Sequence, residues 1–145
     1  MLMLPILLYI LGMLPAQSEP DLLFRTQLAH AISEGTSDVR EQIILARLAW
    51  FEGGYRRSVA SCKIKGDGGK SQGIFQIQPR DAQDKRDACG TLNAQVAVAL
   101  RFIRRSREVC GHLEPQDQLS LYTTGACYRV QPEARRRWGA DEASF

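Results

Sequence analysis

The sequence has 145 residues, of which 44% are hydrophobic and 24% are charged, and its formal net charge is +3. This length predicts one domain rather than two, and the ordinary balance of apolar and charged residues excludes an intrinsically disordered chain. A mildly basic surface suits an anionic polymer as partner, but it does not select one class of polymer.

The N-terminal segment is almost wholly apolar. It reads MLMLPILLYILGMLP, and the first charged residue is Glu19. Such a run is short for a membrane-spanning helix, and it resembles the apolar region of a secretory signal peptide, with Ala16 before the expected cleavage point. We predict a signal peptide over residues 1–16, a single domain over residues 17–145, and an exported protein, periplasmic or secreted. Because no basic residue precedes the apolar run, an uncleaved membrane anchor or a misassigned start is the alternative.

Four helices are predicted in chain order after this segment. The first covers Asp21–Glu34, and the second begins after a cap at Ser37 or Asp38 and ends at Glu52, before two glycines. The second carries apolar residues every three or four positions, as a buried helical face requires. The longest helix covers Leu92–Val109, and a shorter one covers roughly Pro115–Tyr122.

Between the second and the third of these helices the pattern becomes extended. Residues 62–65 and 73–77 are strand-like, and the segment between them contains the turn sequence Gly66-Asp67-Gly68-Gly69. Pro79 ends the second strand-like segment. The sequence therefore predicts an α+β fold that is mainly helical and contains one small β-hairpin.

The cysteines indicate disulfides rather than a metal site. The chain has four, at Cys62, Cys89, Cys110 and Cys127. An even number in a small exported chain predicts two disulfides, and none of these cysteines or of the two histidines has the spacing of a zinc site. A bond between Cys89 and Cys110 is disfavoured because these residues flank the longest helix. The other two pairings stay open, and no metal is predicted.

The strongest candidate for chemistry is Glu52. It closes a helix, directly follows Trp50 and Phe51, and has Tyr55 just beyond two glycines. Aromatic neighbours exclude water from a carboxyl and the negative end of a helix dipole disfavours an anion, so both effects predict a raised pKa for this group. Such a carboxyl can protonate a glycosidic oxygen at neutral pH. The alternative is an ordinary surface glutamate beside a glycine turn.

Three segments in a fixed order give this glutamate a context. F-E-G-G-Y around Glu52 is followed by G-I-F-Q-I-Q-P at residues 73–79 and by L-Y-T-T-G at residues 121–125. With these segments the chain resembles the transglycosylase domain of the soluble lytic transglycosylases and, more distantly, goose-type and invertebrate-type lysozymes. Those families share a helix-ending glutamate, a G-(L/I/P)-(M/F)-Q-(L/I/V)-x-P segment and an A-Y-N-A-G-like segment. The resemblance covers roughly residues 38–128 and implies a lysozyme-like fold with a hairpin beside the active-site cleft.

The resemblance also implies a role for each matched residue. Glu52 matches the catalytic acid/base, and Tyr122 matches a tyrosine whose hydroxyl reaches the catalytic carboxyl. The strand lining the glycan groove is matched by Gly73, Ile74, Phe75 and Gln76, with Gln76 beside the substrate. Two positions depart from the family: Gly53 stands where a serine is usual, and Thr123 replaces the asparagine of the third segment. These departures put in question the substrate contacts that the serine and the asparagine would make.

The implied activity is that of a peptidoglycan lytic transglycosylase. Such an enzyme cuts the β-1,4 bond between N-acetylmuramic acid and N-acetylglucosamine, and here it would act as a monomer without a cofactor, using Glu52 alone. A lysozyme-type hydrolase would need a second carboxylate, for which Asp67 is the candidate, although its glycine-rich context favours a turn role. A catalytically silent wall-binding module is the third possibility.

The remaining basic residues carry no specific prediction of chemistry. Arg101, Arg104 and Arg105 are expected to form a solvated face of the longest helix, and Arg135–Arg137 could contact an anionic polymer. Nothing resembling a nucleic-acid-binding module accompanies them, so no nucleic-acid partner is predicted. Contact with a membrane is expected only through an uncleaved N-terminal segment.

Overall fold

The chain is mainly helical, as the sequence predicts. The computed structural model describes residues 3–139, so the first two residues of the predicted signal peptide and the last six of the predicted domain lie outside the described residues. The helices are α1 (Met3–Met13), α2 (Glu19–Gly35), α3 (Val39–Gly53), α4 (Arg57–Ala60), α5 (Ala82–Ala88), α6 (Leu92–Val109), α7 (Ser120–Thr124) and α8 (Pro132–Trp138), with 3-10 turns at Asp67–Gly69 and Pro115–Asp117.

The ends of the long helices follow from capping chemistry. The side chains of Ser18, Asp38 and Thr91 accept backbone N–H groups in the first turns of α2, α3 and α6. Helix α3 ends at Gly54, whose φ of 59° is the left-handed conformation that closes a helix. The predicted helices α2, α3 and α6 are therefore confirmed, and α6 has the predicted bounds.

The core lies where α2, α3 and α6 meet. Leu28 of α2, Leu48 of α3 and Ile103 of α6 are each fully buried, as are most of their apolar neighbours on the facing sides of these helices. Burying side chains of this size stabilises the fold by about 1.5–3 kcal/mol each. The three helices therefore form the rigid frame from which the shorter elements project.

Helix α1, in the predicted signal peptide, packs against α2 and α3. Ile10 is fully buried, and the Tyr9 hydroxyl accepts a hydrogen bond from Arg47 Nη1 at 2.9 Å. Within residues 3–139, no helix is both long enough and apolar enough to cross a membrane. Cleavage after Ala16 stays a prediction.

The predicted hairpin is not present as a ladder. Residues 62–65 do not pair with residues 73–77; instead, isolated bridges join Gly66 to Ser71 and Gln72 to Ile77, giving two consecutive tight loops. Three non-glycine residues in this region, Cys62, Asp67 and Gln76, have positive φ angles. Left-handed residues reverse the chain direction and break the extended geometry that a strand needs. The apolar alternation therefore belongs to a compact loop, which we call the cleft loop (residues 66–78).

Both predicted disulfides are formed. They join Cys62 to Cys89 and Cys110 to Cys127, so the structure selects one of the two pairings left open and avoids the disfavoured one. The first ties the segment after α4 to the end of α5, and the second ties the end of α6 to the segment after α7. Two such bonds fit an oxidising, extracellular environment.

Candidate active site

A cavity of about 420 Å³ lies between the end of α3, the cleft loop, α6 and α7. It gathers four residues that the sequence singles out as candidates for chemistry or substrate contact, namely Glu52, Asp67, Gln76 and Tyr122. Cavities of this size and polarity suit a small part of a polar ligand, such as a few sugar units of a longer chain. The fold therefore brings distant parts of the sequence to one site.

The end of α3 packs tightly against the cleft loop. A β-carbon at position 53 would lie 2.3 Å from the carbonyl oxygen of Ile74, so only glycine allows this approach. Glu52, one residue earlier, is thereby placed at the rim where helix and loop meet. This contact gives a physical reason for glycine at the position where the resembling family usually has serine.

Three of the residues matched to the glycan-lining strand lie behind the cavity wall. Gly73 has a φ of 80°, and a β-carbon there would lie 2.1 Å from the carbonyl oxygen of Ala88. Ile74 is fully buried and its backbone N–H donates to Gln95 Oε1 at 2.8 Å, while Phe75 is 1% exposed. These residues anchor the cleft loop to α5 and α6, and they leave direct substrate contact to the following residue.

Gln76 is the matched residue of this strand that lines the cavity. Its φ of 48° turns the chain back, and its amide Nε2 donates to the carbonyl oxygen of Gly73 at 2.9 Å. Its Oε1 lies where a side chain at Gly66 would stand, only 2.3 Å from the position of a β-carbon. The amide is therefore held across the mouth of the cleft loop.

Tyr122 lies in the opposite wall and bonds the cleft loop rather than Glu52. Its hydroxyl donates to the carbonyl oxygen of Phe75 at 2.5 Å. Burial raises the pKa of Tyr122 well above 10, and the negative charge of Glu52 adds to that shift. The tyrosine thus stays protonated and close to Glu52, and it fixes the backbone that precedes Gln76. The hydroxyl of the adjacent Thr123 donates to backbone carbonyl oxygens at the start of α7.

Glu52 is bound by an arginine that the sequence reasoning missed. Arg137 of α8 donates to Glu52 Oε1 from Nη2 at 2.8 Å and from Nε at 3.1 Å. The Arg137 side chain is 11% exposed, and the Glu52 side chain is 23% exposed. The sequence predicts aromatic neighbours for this carboxyl, and the structure adds a cation that is paired with it. The sequence does contain a signal for the helix that carries Arg137, namely Pro132 at its start and Gly139 just past its end.

Asp67 faces the same cavity and also stabilises its turn. The Ser71 hydroxyl donates to Asp67 Oδ2, and the Gln78 amide donates to the same oxygen at 3.2 Å. Its φ of 50° lies in the left-handed region that aspartate tolerates better than most residues. Asp67 thus has the turn role expected from its glycine-rich context, and it lines the same cavity as Glu52.

The arginines of α6 do not form a uniformly solvated face. Arg101 pairs with Asp84 at 3.0 Å, and Arg104 pairs with Glu41 at 2.9 Å. Both carboxylates are buried, so these two arginines act as structural partners and not as free surface charges. Arg105 differs because it lines the cavity and forms no ion pair with any residue in the range 3–139.

Two further observations bear on the site. Among the described residues, no group of three or more His, Cys, Asp or Glu side chains is placed to hold a metal ion. The chain matches none of the protein-family models, curated proteins or solved structures with which it was compared. The similarity to the lytic transglycosylases thus rests on the three segments around Glu52, Gln76 and Tyr122.

Proposed function

We propose that the protein is an exported peptidoglycan lytic transglycosylase of the lysozyme-like superfamily. The observation that carries the proposal is the meeting of Glu52, Gln76 and Tyr122 in one cavity. The three residues come from the three separate segments that resemble the family, one residue from each. Their convergence supports a common site, with the cleft loop in the place of the family's hairpin.

The proposed reaction needs a single carboxyl group. Glu52 donates a proton to the glycosidic oxygen, and the bond from that oxygen to C1 of N-acetylmuramic acid breaks. The C6 hydroxyl of the same sugar attacks C1 and returns its proton to the Glu52 carboxylate, which leaves a 1,6-anhydro end. No water is consumed, so no second group is needed to activate it.

An arginine in the cavity wall supports a glycan substrate that carries a negative charge. Arg105 lines the cavity and has no carboxylate partner among residues 3–139. Its guanidinium is therefore available to a substrate anion, and the lactyl carboxylate of N-acetylmuramic acid is such a group. The two disulfides support a periplasmic or secreted location, where this polymer is found.

A lysozyme-type hydrolase is the second candidate function, because Asp67 lines the cavity with Glu52. In that reaction Asp67 would act as nucleophile or would activate a water molecule, and the products would carry reducing ends. A catalytically silent wall-binding module with the same cavity would release nothing.

Mass spectrometry of fragments released from purified sacculi separates these functions. We expect anhydro-muropeptides from the wild-type protein and none from Glu52→Gln at equal concentration. Reducing ends would replace the transglycosylase by the hydrolase. Binding to sacculi without any release by the wild-type protein would support the silent module.

A further inference from the structure

The two oxygens of the Glu52 carboxyl have different surroundings. Oε1 accepts both hydrogen bonds from Arg137, whereas Oε2 accepts none from any residue in the range 3–139. The side chain lines the cavity and remains partly exposed. One oxygen is therefore committed to the protein, and the other is free for a substrate.

Arg137 reaches this carboxyl from behind. It does not line the cavity, its guanidinium also pairs with Glu133, and it lies 5.2 Å from the centre of the Phe51 ring. A guanidinium with a second carboxylate and an aromatic face has few alternative positions. The Arg137 guanidinium, which binds Glu52, is thus itself held in place by Glu133 and Phe51.

We propose that Arg137 is the positioning residue that orients Glu52 for proton transfer, an inference that rests on the proposed function. Binding of Oε1 leaves the transferable proton on Oε2, where the glycosidic oxygen would lie. A carboxylic acid protonated on Oε2 still accepts hydrogen bonds at Oε1, so the contact survives both protonation states. The cation also stabilises the carboxylate that forms when the proton leaves.

Other charged or titratable groups near Glu52 do not have this role. Those that share its surroundings are Arg137 and Glu133 from α8, Tyr122 from α7, Arg105 from α6 and Asp67 from the cleft loop. Of these, only Arg137 forms a hydrogen bond to the carboxyl within the described part of the chain. Its replacement should therefore release the Glu52 carboxyl from its fixed orientation.

NMR tests the contact without relying on activity. The Arg137 Nε–H signal is observed directly, with Arg137→Gln used to assign it. In Glu52→Ala we expect this proton signal to move upfield, because the Nε–H group loses its carboxylate acceptor. Glu52→Gln should move the signal less, since an amide oxygen still accepts. An unchanged signal in Glu52→Ala would overturn the proposal.

Arg135→Gln is the matched control. It removes the same charge from the same helix, but Arg135 pairs with Asp117 and not with Glu52. It should lower the melting temperature and leave kcat on glycan fragments near wild type. A kcat that falls equally in Arg135→Gln and Arg137→Gln would show that the net charge of α8 is responsible, and the specific role of Arg137 would be rejected.

Kinetics on soluble glycan fragments tests the positioning role. For Arg137→Gln we expect kcat to fall by about tenfold to a hundredfold with little change in KM, because the carboxyl loses its orientation. Arg137→Lys should recover part of kcat, because it keeps a cation beside Glu52. A purely structural role would lower stability without lowering kcat per folded molecule. Wild-type protein that cleaves nothing would end the proposed function, whereas an active wild type with an equally active Arg137→Gln would reject only the positioning role.

Discussion

Helix α3 carries an arginine-paired glutamate near each end, and the two carboxylates are held very differently. Glu41 is 3% exposed, and its oxygens accept hydrogen bonds from Arg104, Arg107 and Thr36. Glu52, at the other end, is partly exposed, and within the described part of the chain it accepts hydrogen bonds only at Oε1, from Arg137. Both are helical glutamates paired with arginines far away in the sequence.

The difference shows that the number of partners, and not pairing as such, separates a structural carboxylate from one available for chemistry. Hydrogen bonds from Arg104 in particular lower the pKa of Glu41 to about 2, so this group is an anion at any physiological pH. It has no proton to give and no free oxygen to receive one. Glu52 keeps an oxygen open beside a cavity, which a proton-transfer role requires.

The largest effect that would sharpen this comparison is expected for Glu52→Gln. The change preserves shape and removes the transferable proton, so release of anhydro-muropeptides should fall by about a hundredfold or more. The melting temperature should stay near wild type, because the amide oxygen can still accept from Arg137. Near-normal release by this variant would show that Glu52 is not the acid.

Glu41→Gln should have the opposite profile. It should lower the free energy of unfolding by about 2 kcal/mol, the scale of hydrogen bonds to a charged group. The loss is limited because Arg104 is half exposed and water can hydrate it. Activity per folded molecule should be unchanged. Chemical denaturation measures the first quantity, and a loss of activity in fully folded protein would break the distinction between the two glutamates.

The acid stability of the fold should depend on the same glutamate. A carboxyl whose folded pKa lies near 2, below its ordinary value of 4.5, stabilises the folded state above pH 4.5 and loses that contribution as the pH falls to about 2. The free energy of unfolding should therefore decrease over this interval, and less steeply in Glu41→Gln. Asp117, whose pKa hydrogen bonds from Arg135 also lower to about 2, contributes to the remaining slope. Equal slopes in the variant and wild type would contradict the pairing of Glu41.

Arg105→Gln extends the comparison to an arginine that has no carboxylate partner among residues 3–139. We expect KM for peptidoglycan fragments to rise by about fivefold, the scale of a partly exposed ion pair. Binding of an uncharged chitooligosaccharide, measured by calorimetry, should not change, because that sugar lacks the lactyl carboxylate. Equal weakening toward both ligands would assign Arg105 to general packing of the cavity.

The smallest effect is expected for Asp67→Asn. Asparagine tolerates the same left-handed turn, so activity should stay within about twofold of wild type. Tyr122→Phe should weaken the enzyme more, because it leaves the Phe75 carbonyl without its donor and loosens the loop that carries Gln76. The reverse order, with reducing ends among the products of the wild-type protein, would favour the hydrolase.

The long helices were predictable because their signals are local. Asp38 caps α3 and Gly54 closes it, and the periodic apolar residues of α6 face the core. The cleft loop was not predictable, since alternation and glycines also describe a hairpin, and only the positive φ angles of residues such as Gln76 distinguish the two. The local sequence pattern therefore identified the segment of the cleft loop, but the hairpin geometry that it predicted was wrong.

The contents of the site were predicted better than its contacts. The order of the motifs predicted that Glu52, Gln76 and Tyr122 lie at one site, and all three line the same cavity. The pairing of Glu52 with Arg137 spans 85 positions, and no periodic signal links residues so far apart. The partner of the Tyr122 hydroxyl was equally hidden, because it is a backbone carbonyl and has no residue-type signature.

The disulfide between Cys110 and Cys127 gives the cleft a dependence on its compartment. It closes a segment with a sequence separation of 17 that contains α7, a helix of five residues. A helix this short is not stable in isolation, so the wall that carries Tyr122 relies on contacts and crosslinks outside itself. In a reducing cytoplasm that wall lacks its covalent tie. Under the proposed function, the reduced chain should therefore be less well organised for cleavage than the oxidised chain.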